Sequence, residues 1–127
     1  RTAKDAANSL KCELGAIVKS LVCKAEDTFI ICLVSGDKRC SLNKLKKILN
    51  KKDVAMANAD QVKENTGFSI GGVAPTGHLK KLNIIVDKSL SRFKYVYGAA
   101  GHPDCVFRIT YPELVKLTIG SEQEIIE

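Results

Sequence analysis

Apolar residues recur along the chain in short runs of strand length, separated by polar and glycine-containing links. Ile17–Lys24 and Thr28–Ser35 are two such runs, and the polar residues Glu26 and Asp27 between them predict a β-hairpin. Four more segments have the composition of strands: Asp53–Ala57, Leu82–Asp87, Lys94–Tyr97 and Cys105–Ile109. The pattern therefore predicts five or more strands.

Helix-start signals lie between the predicted strands. Three pairs have the spacing of a capping box, in which each side chain bonds the other residue's backbone N–H: Thr2 with Asp5, Asn58 with Gln61, and Thr110 with Glu113. Ser41 caps a fourth helix, with leucines on one face and lysines on the other. The predicted helices are Thr2–Lys11, Leu42–Leu49, Asn58 to about Asn65, and Pro112–Thr118. Because helices and strands do not alternate regularly, we expect the α+β class around a mixed sheet or barrel.

Composition narrows the protein class. A chain of 127 residues with 45% hydrophobic residues is long enough for one domain with a real core. No apolar run has the length of a membrane span, so we expect no membrane partner. Five cysteines without a C-x-x-C pair indicate reduced thiols and a cytoplasmic location, and most are expected to be core residues. Two histidines far apart in sequence offer no visible metal-ligand set, so we expect no metal.

The net charge of +6 is unevenly distributed. Between Lys38 and Lys52 there are seven basic residues and no acidic residue, whereas the segment from Ser121 to Glu127 is acidic. A dense basic cluster favours a polyanionic partner, and nucleic acid is the commonest. The alternative, a solvated helix face with no partner, has about equal weight.

Residues 66–78 hold four of the nine glycines, together with Pro75 and His78. Glycine lets a ligand approach the backbone closely, so this stretch can offer N–H groups to an anion or a carbonyl. A tight connection between strands is the simpler alternative. Gly72 and Gly77 have the spacing of a phosphate-binding P-loop, but His78 and Leu79 replace the required Lys and Ser or Thr. The sequence therefore excludes a P-loop nucleotide hydrolase.

Lys19 is the unusual residue of the predicted hairpin. Alternation along a strand places it on the same face as Ile17, Leu21 and Cys23. A cation in an apolar row either extends to the edge of the sheet or faces a cavity that holds an anion. The alternation does not show which face of the strand lies in the core, because Val18 and Val22 on the other face are apolar as well.

The order of these signals is specific. Along the chain come V-K-S-L-V at residues 18–22, G-D-K-R at 36–39, L-x-x-L-x-x-I-L at 42–49, V-x-M-A at 54–57, T-G-F-x-I-G-G-V-x-P-x-G at 66–77, and V-D-x-x-L at 86–90. This series resembles the YbaK-type aminoacyl-tRNA deacylases, which include the editing domain inserted in bacterial prolyl-tRNA synthetases. The likeness extends from Thr2 to about Thr118.

The resemblance implies a compact α+β domain with a curved, barrel-like mixed sheet and surrounding helices. It implies hydrolysis of the ester on mischarged tRNA, in particular tRNA for proline carrying a small wrong amino acid such as alanine or cysteine. Lys19 takes the place of the family's essential lysine. Gly71 and Pro75 take the places of its G-x-x-x-P loop, with Gly72 as a further backbone donor. The family requires no metal or other cofactor, and we expect no covalent intermediate.

Further site residues follow from the same resemblance. Gly101 and His102 match the glycine-rich loop whose histidine contacts the substrate end, and Thr2 is expected at the edge of the pocket. The basic helix supplies the candidate contacts to the tRNA backbone: Lys44, Lys46 and Lys47.

The expected partners are mischarged tRNA and prolyl-tRNA synthetase. Family members usually begin with a further helix and strand, so residues 1–127 are expected to form a single editing domain that lacks them. A non-catalytic module that holds a tRNA end or a nucleotide in the same pocket is the alternative.

Overall fold

Four helices of eight residues each surround the strands in the computed structural model, which describes residues 2–101 and 105–127. The helices are α1 (Ala3–Leu10), α2 (Leu42–Leu49), α3 (Ala59–Thr66) and α4 (Tyr111–Thr118). The three predicted capping boxes are present at α1, α3 and α4, and Ser41 caps α2. Each cap satisfies N–H groups that a helix start leaves free, which is why the predicted helix starts are confirmed.

Within these described residues, seven strands form one mixed sheet and one separate ribbon. The strands are β1 (Val18–Ala25), β2 (Thr28–Ser35), β3 (Val54–Met56), β4 (Asn83–Asp87), β5 (Tyr95–Ala99), β6 (Val106–Thr110) and β7 (Ser121–Gln123). The five-stranded sheet has the order β3-β1-β2-β4-β7, in which β2, β4 and β7 are parallel neighbours. The predicted α+β class with a mixed sheet is confirmed.

The β1–β2 hairpin is the centre of the sheet, and both of its faces are covered. Val18 and Val22 pack with Leu33 in one apolar cluster, while Cys23 packs with Val34 in a second cluster on the opposite face. Both faces are apolar for this reason, and alternation alone could not select the core side. Burying a side chain such as Leu33 completely contributes about 1.5–3 kcal/mol, so the hairpin is a rigid platform.

The antiparallel ribbon β5–β6 meets the sheet where β1 begins. Ile17, the residue before β1, forms an isolated parallel bridge with Tyr97 of β5. A short 3₁₀ helix, Leu14–Ala16, leads into this point from α1. The first residues of β1 are therefore held between the sheet and the ribbon.

Strand β7 is absent from the sequence-based prediction, which treated the last residues only as an acidic segment. It lies parallel to β4, and the N–H of Ile125 beyond it donates to Asp87 Oδ1 at 2.7 Å. Asp87 is fully buried and also accepts a bond from Ser89 N. The sequence of β7, Ser-Glu-Gln, has no alternation of apolar and polar residues, so this strand forms because it pairs with β4.

No helix within residues 2–101 and 105–127 is long and apolar enough to cross a membrane.

Candidate functional site

A cavity of about 260 Å³ lies where four segments of the chain meet: the start of α1, the start of β1, the glycine-rich stretch and the β5–β6 ribbon. Lys19 of β1, Gly71 of the glycine-rich stretch and Thr2 of the α1 cap all line it. Three of the residues predicted for the site are thus brought together from distant parts of the sequence. Apolar residues contribute much of the remaining wall, among them Ile17, Val18, Ile70, Val73 and Val106.

Lys19 is half-buried at the edge of this cavity. Its Nζ donates to the main-chain carbonyl of Lys38 at 2.5 Å. Burial lowers the pKa of Lys19, and the nearby carboxylate of Asp37 opposes that shift. Among the described residues Lys19 makes no ion pair, so its charge is available to an anionic ligand.

Gly71 is the most open part of the glycine-rich stretch. A Cβ placed on it would meet nothing within 4 Å, and the residue is exposed toward the cavity. Its neighbour Gly72 is buried, and the Gly72 N–H already donates to the Ser69 carbonyl at 2.8 Å. Within the described ranges no backbone bond engages the Gly71 N–H. Gly71 is therefore better placed than Gly72 to donate to a ligand.

Pro75 is buried and does not line the cavity. It lies in the part of the loop that internal contacts hold in shape. His78 Nε2 donates to the Ala74 carbonyl at 2.6 Å, and the His78 ring packs edge-on against Phe68 at 6.0 Å between centroids. Pro75 is therefore not placed to contact a ligand in the cavity, whereas Gly71 is exposed to it.

Gly101 lies beside Phe68. Its φ of +88° favours glycine, and a Cβ there would approach Phe68 Cε1 to 3.0 Å. Gly101 thus links the β5–β6 loop to the glycine-rich stretch without lining the cavity. His102, the other residue predicted for this loop, lies outside the described residues.

The three lysines predicted to contact the tRNA backbone do not line the cavity. Lys44 Nζ forms an ion pair with Glu124 at 3.0 Å and donates to the Ile126 carbonyl at 2.6 Å. Lys46 borders an open depression of about 490 Å³ that Glu26, Asp27 and Asp53 also line. Lys47 is exposed, with no ion pair among residues 2–101 and 105–127.

Sequence reasoning missed the wall that the ribbon provides. Tyr97, Gly98, Ala99 and Cys105 all line the cavity opposite β1. Their place depends on the bridge between Ile17 and Tyr97, which joins distant segments and leaves no local pattern. The only available signal was the small-residue run at 98–101.

The five cysteines differ in their exposure. All five are free thiols; Cys23 and Cys32 are buried in the second apolar cluster, whereas Cys105 is exposed at the cavity. In the parts of the chain that the structure describes, no group of three potential metal ligands comes together. The cavity therefore offers ligands a cation, backbone groups and apolar walls.

Comparison with known proteins identifies the class. The family model of the aminoacyl-tRNA editing domain matches residues 1–117, and the chain belongs to this family. Its structure also matches a crystal structure of a candidate trans-editing enzyme for prolyl-tRNA synthetase. That match has a TM-score of 0.95 and 39% sequence identity, and it covers all of this chain and 80% of the other.

Curated relatives include both large and small proteins. The chain is 36% identical to the proline–tRNA ligase of Thermosipho africanus over 99 residues, which cover 77% of this chain and 18% of the ligase. It is 32% identical to the uncharacterised protein YwhH of Bacillus subtilis over 120 residues, covering 94% of this chain and 76% of YwhH. The chain thus spans about a fifth of the length of the ligase it matches.

Proposed function

We propose that the protein is an aminoacyl-tRNA deacylase that hydrolyses the ester of mischarged tRNA. The observation that supports this most strongly is the shared cavity of Lys19 and Gly71, since the two residues come from separate elements and border one opening. Family membership supplies the reaction class, and the geometry supplies groups that suit it.

Ester hydrolysis passes through a tetrahedral oxyanion, which fixed hydrogen-bond donors stabilise. The Gly71 N–H is a donor with open space beside it, and the Lys19 ammonium is a compact cation at the edge of the same cavity. In the proposed reaction a water molecule attacks the ester carbonyl and the tRNA 3′ oxygen leaves. No residue of the protein forms a covalent bond to the substrate, and no metal is required.

The cavity favours an apolar side chain on the bound amino acid. Apolar residues such as Ile17, Val18 and Val106 contribute much of the wall around its volume of about 260 Å³. One methylene in such a pocket changes affinity by only about 1–3 kcal/mol, so neighbouring small amino acids are weakly distinguished. We propose alanine or cysteine on tRNA for proline, because relatives include proline–tRNA ligases and a candidate trans-editing enzyme for prolyl-tRNA synthetase. That synthetase is the proposed functional partner.

A second candidate function is binding of a tRNA end without hydrolysis. It is favoured by the cavity lining itself, in which no carboxylate or histidine of the described residues can act as general base. In the deacylase proposal the substrate's own ribose hydroxyl helps to position the water. The two functions therefore differ in whether any aminoacyl ester is cleaved.

The test is a panel of tRNA for proline charged with proline, alanine, cysteine or serine, with release of amino acid measured over time. Wild type should release a small wrong amino acid and spare proline. Lys19→Ala should lower the rate by on the order of 100- to 1,000-fold, since it removes a charged group from the reacting site. Lys24→Ala, which changes an exposed lysine on the same strand, is the matched control and should act as wild type.

One result would contradict the proposed function, and another would contradict the proposed role of Lys19. Wild-type protein that binds these tRNAs but cleaves none of them would establish the binding function instead. Full activity in Lys19→Ala would exclude Lys19 from the reaction while leaving the deacylase class intact.

A further inference from the structure

The carbonyl that receives the Lys19 ammonium belongs to the turn that follows β2, residues 36–39. Gly36 N donates to the Ile17 carbonyl at 2.8 Å, and Lys38 N donates to the Ser35 carbonyl at 3.1 Å. These two bonds fix the start of the turn against the hairpin. They do not hold its outer side, where Asp37 is exposed.

Arg92 holds that outer side. Its two terminal nitrogens donate to both oxygens of Asp37, with Nη2 to Oδ1 at 2.7 Å and Nη1 to Oδ2 at 3.1 Å. Its Nε donates to the Ser89 carbonyl at 2.7 Å, and its guanidinium lies 4.9 Å from the centre of the Phe93 ring. A planar guanidinium bonded in this way has one orientation, so it ties the turn to the 3₁₀ helix Lys88–Arg92.

Gly15 provides the space in which this pair meets the core. A Cβ on Gly15 would lie 2.7 Å from Phe93 Cζ and 3.0 Å from both Arg92 Nη2 and Asp37 Oδ1. Gly15 belongs to the 3₁₀ helix that leads into β1. The ion pair is therefore packed against the segment that positions the first residues of β1.

Asp37, the acidic member of the pair, also influences the pKa of Lys19. The charged and titratable groups around the Lys19 ammonium are Asp37, Cys40 and Arg39, all from the segment after β2. Asp37 favours the charged ammonium, and the two hydrogen bonds from Arg92, which lower the pKa of Asp37, fix its carboxylate in place. Arg92 thus acts on Lys19 through Asp37.

We propose that Asp37 and Arg92 are positioning residues, which hold the Lys38 carbonyl where it fixes the Lys19 ammonium at the cavity. This inference rests on the proposed deacylase function for its effect on turnover. An exposed ion pair usually contributes little to stability. If the pair had only a structural role, breaking it would change neither the stability nor kcat appreciably. If it positions Lys19, breaking it lowers kcat while the stability stays nearly the same.

The kinetic test uses Asp37→Asn, which keeps the shape but removes the charge, and Arg92→Lys, which keeps the charge but removes the planar fork. Each should lower kcat about tenfold while KM changes less than twofold, because misplacing a reacting group by about 1 Å costs up to 100-fold. Ser91→Ala is the matched control, with no expected change, because it removes only the bond from the exposed Ser91 Oγ to the Lys88 carbonyl on the same 3₁₀ helix. A thermal unfolding curve for each variant separates loss of folding from loss of positioning, and the conservative Arg92→Lys serves if Asp37→Asn does not fold.

A second readout does not depend on activity. The pKa of Lys19 is followed by NMR of its 13Cε resonance, assigned by comparison with Lys19→Arg. Asp37→Asn should lower the pKa of Lys19, since it removes the negative charge that favours the ammonium. If wild type cleaves no ester, the proposed function fails, but this titration still decides the positioning role. Wild-type kcat together with an unchanged Lys19 pKa in a folded Asp37→Asn protein would overturn the inference.

Discussion

Gly71 lines the candidate site and Gly36 lies in the turn whose Lys38 carbonyl binds Lys19, and the two glycines differ in what surrounds them. A Cβ on Gly36, in the turn after β2, would lie 2.5 Å from the Leu14 carbonyl oxygen and 3.3 Å from the Cβ atoms of Ala3 and Ile17. A Cβ on Gly71 would meet nothing within 4 Å. One glycine allows segments of the protein to pack together, and the other leaves the backbone open to solvent.

The difference separates structural from functional use of the same residue type. At Gly36 the protein itself occupies the space that a side chain would need, so the glycine is explained by packing. At Gly71 neither packing nor a positive φ requires glycine, because neither is present. Open space on the wall of a cavity that also contains Lys19 is what a ligand needs to reach a backbone N–H.

Among the substitutions that test this comparison of glycines, the largest expected effect is that of Gly71→Ala. A methyl group here has room in the folded protein but projects into the space assigned to the ester. We expect an unchanged thermal midpoint and a loss of deacylation on the order of 100-fold, the size expected when a substrate is displaced by about 1 Å. Deacylation of the mischarged tRNA panel and a thermal unfolding curve measure the two quantities.

Ser69→Ala is the matched control for Gly71→Ala, because Ser69 is exposed on the same loop and does not line the cavity. It should retain wild-type activity. If Gly71→Ala is as active as wild type, the ester does not use the open backbone at this position. Gly71 would then have no functional explanation.

The next effect in size is that of Gly36→Ala on stability. The added methyl would overlap a backbone oxygen, Leu14 O, so the 3₁₀ helix and the turn must move apart. Overpacking of this kind costs about 1–3 kcal/mol in the free energy of unfolding. Chemical denaturation measures that loss, with Gly71→Ala as the matched glycine substitution that should show none.

Gly36→Ala also tests the link between turn and site. Because the same turn contains the Lys38 carbonyl that holds Lys19, activity should fall along with stability. Unchanged stability would mean that the turn and the 3₁₀ helix separate easily, which would remove the packing explanation for this glycine.

Local signals explain why much of the fold could be predicted from the sequence. Capping boxes and apolar runs act between residues close in sequence, and they predicted α1, α3 and α4 as well as the β1–β2 hairpin. Strand β7 escaped because its polar residues are fixed by pairing with β4, a contact that no local pattern encodes.

The candidate site shows the same division. Lys19 was recognisable as a cation in an apolar strand, and Gly71 lay in a stretch rich in glycine. The bond from Lys19 to Lys38 and the pair of Asp37 with Arg92 join separate elements, so they required coordinates. The resemblance to editing domains supplied the roles, and those roles stay predictions until the variants are measured.

The contrast between occupied and open positions extends to the basic helix α2. Lys44 is held by Glu124 and by the Ile126 carbonyl, while Lys46 borders a depression with three acidic residues. Lys47 is exposed and, within the described part of the chain, makes no ion pair. A tRNA phosphate would have to displace Glu124 and the Ile126 carbonyl to bind Lys44, whereas it could bind Lys47 without displacing an ion-pair partner.

The smallest expected effect is therefore on the salt dependence of tRNA binding. Lys47→Ala should weaken binding a few-fold and reduce the slope of log affinity against log salt by about 0.7–0.9, the value for one lost phosphate contact. Lys44→Ala should change the slope less, because its charge is already partly neutralised by Glu124. Titrations of uncharged tRNA at several salt concentrations measure both slopes. Equal slopes in wild type, Lys44→Ala and Lys47→Ala would show that the basic face of α2 is only solvated, and that tRNA is held by the cavity alone.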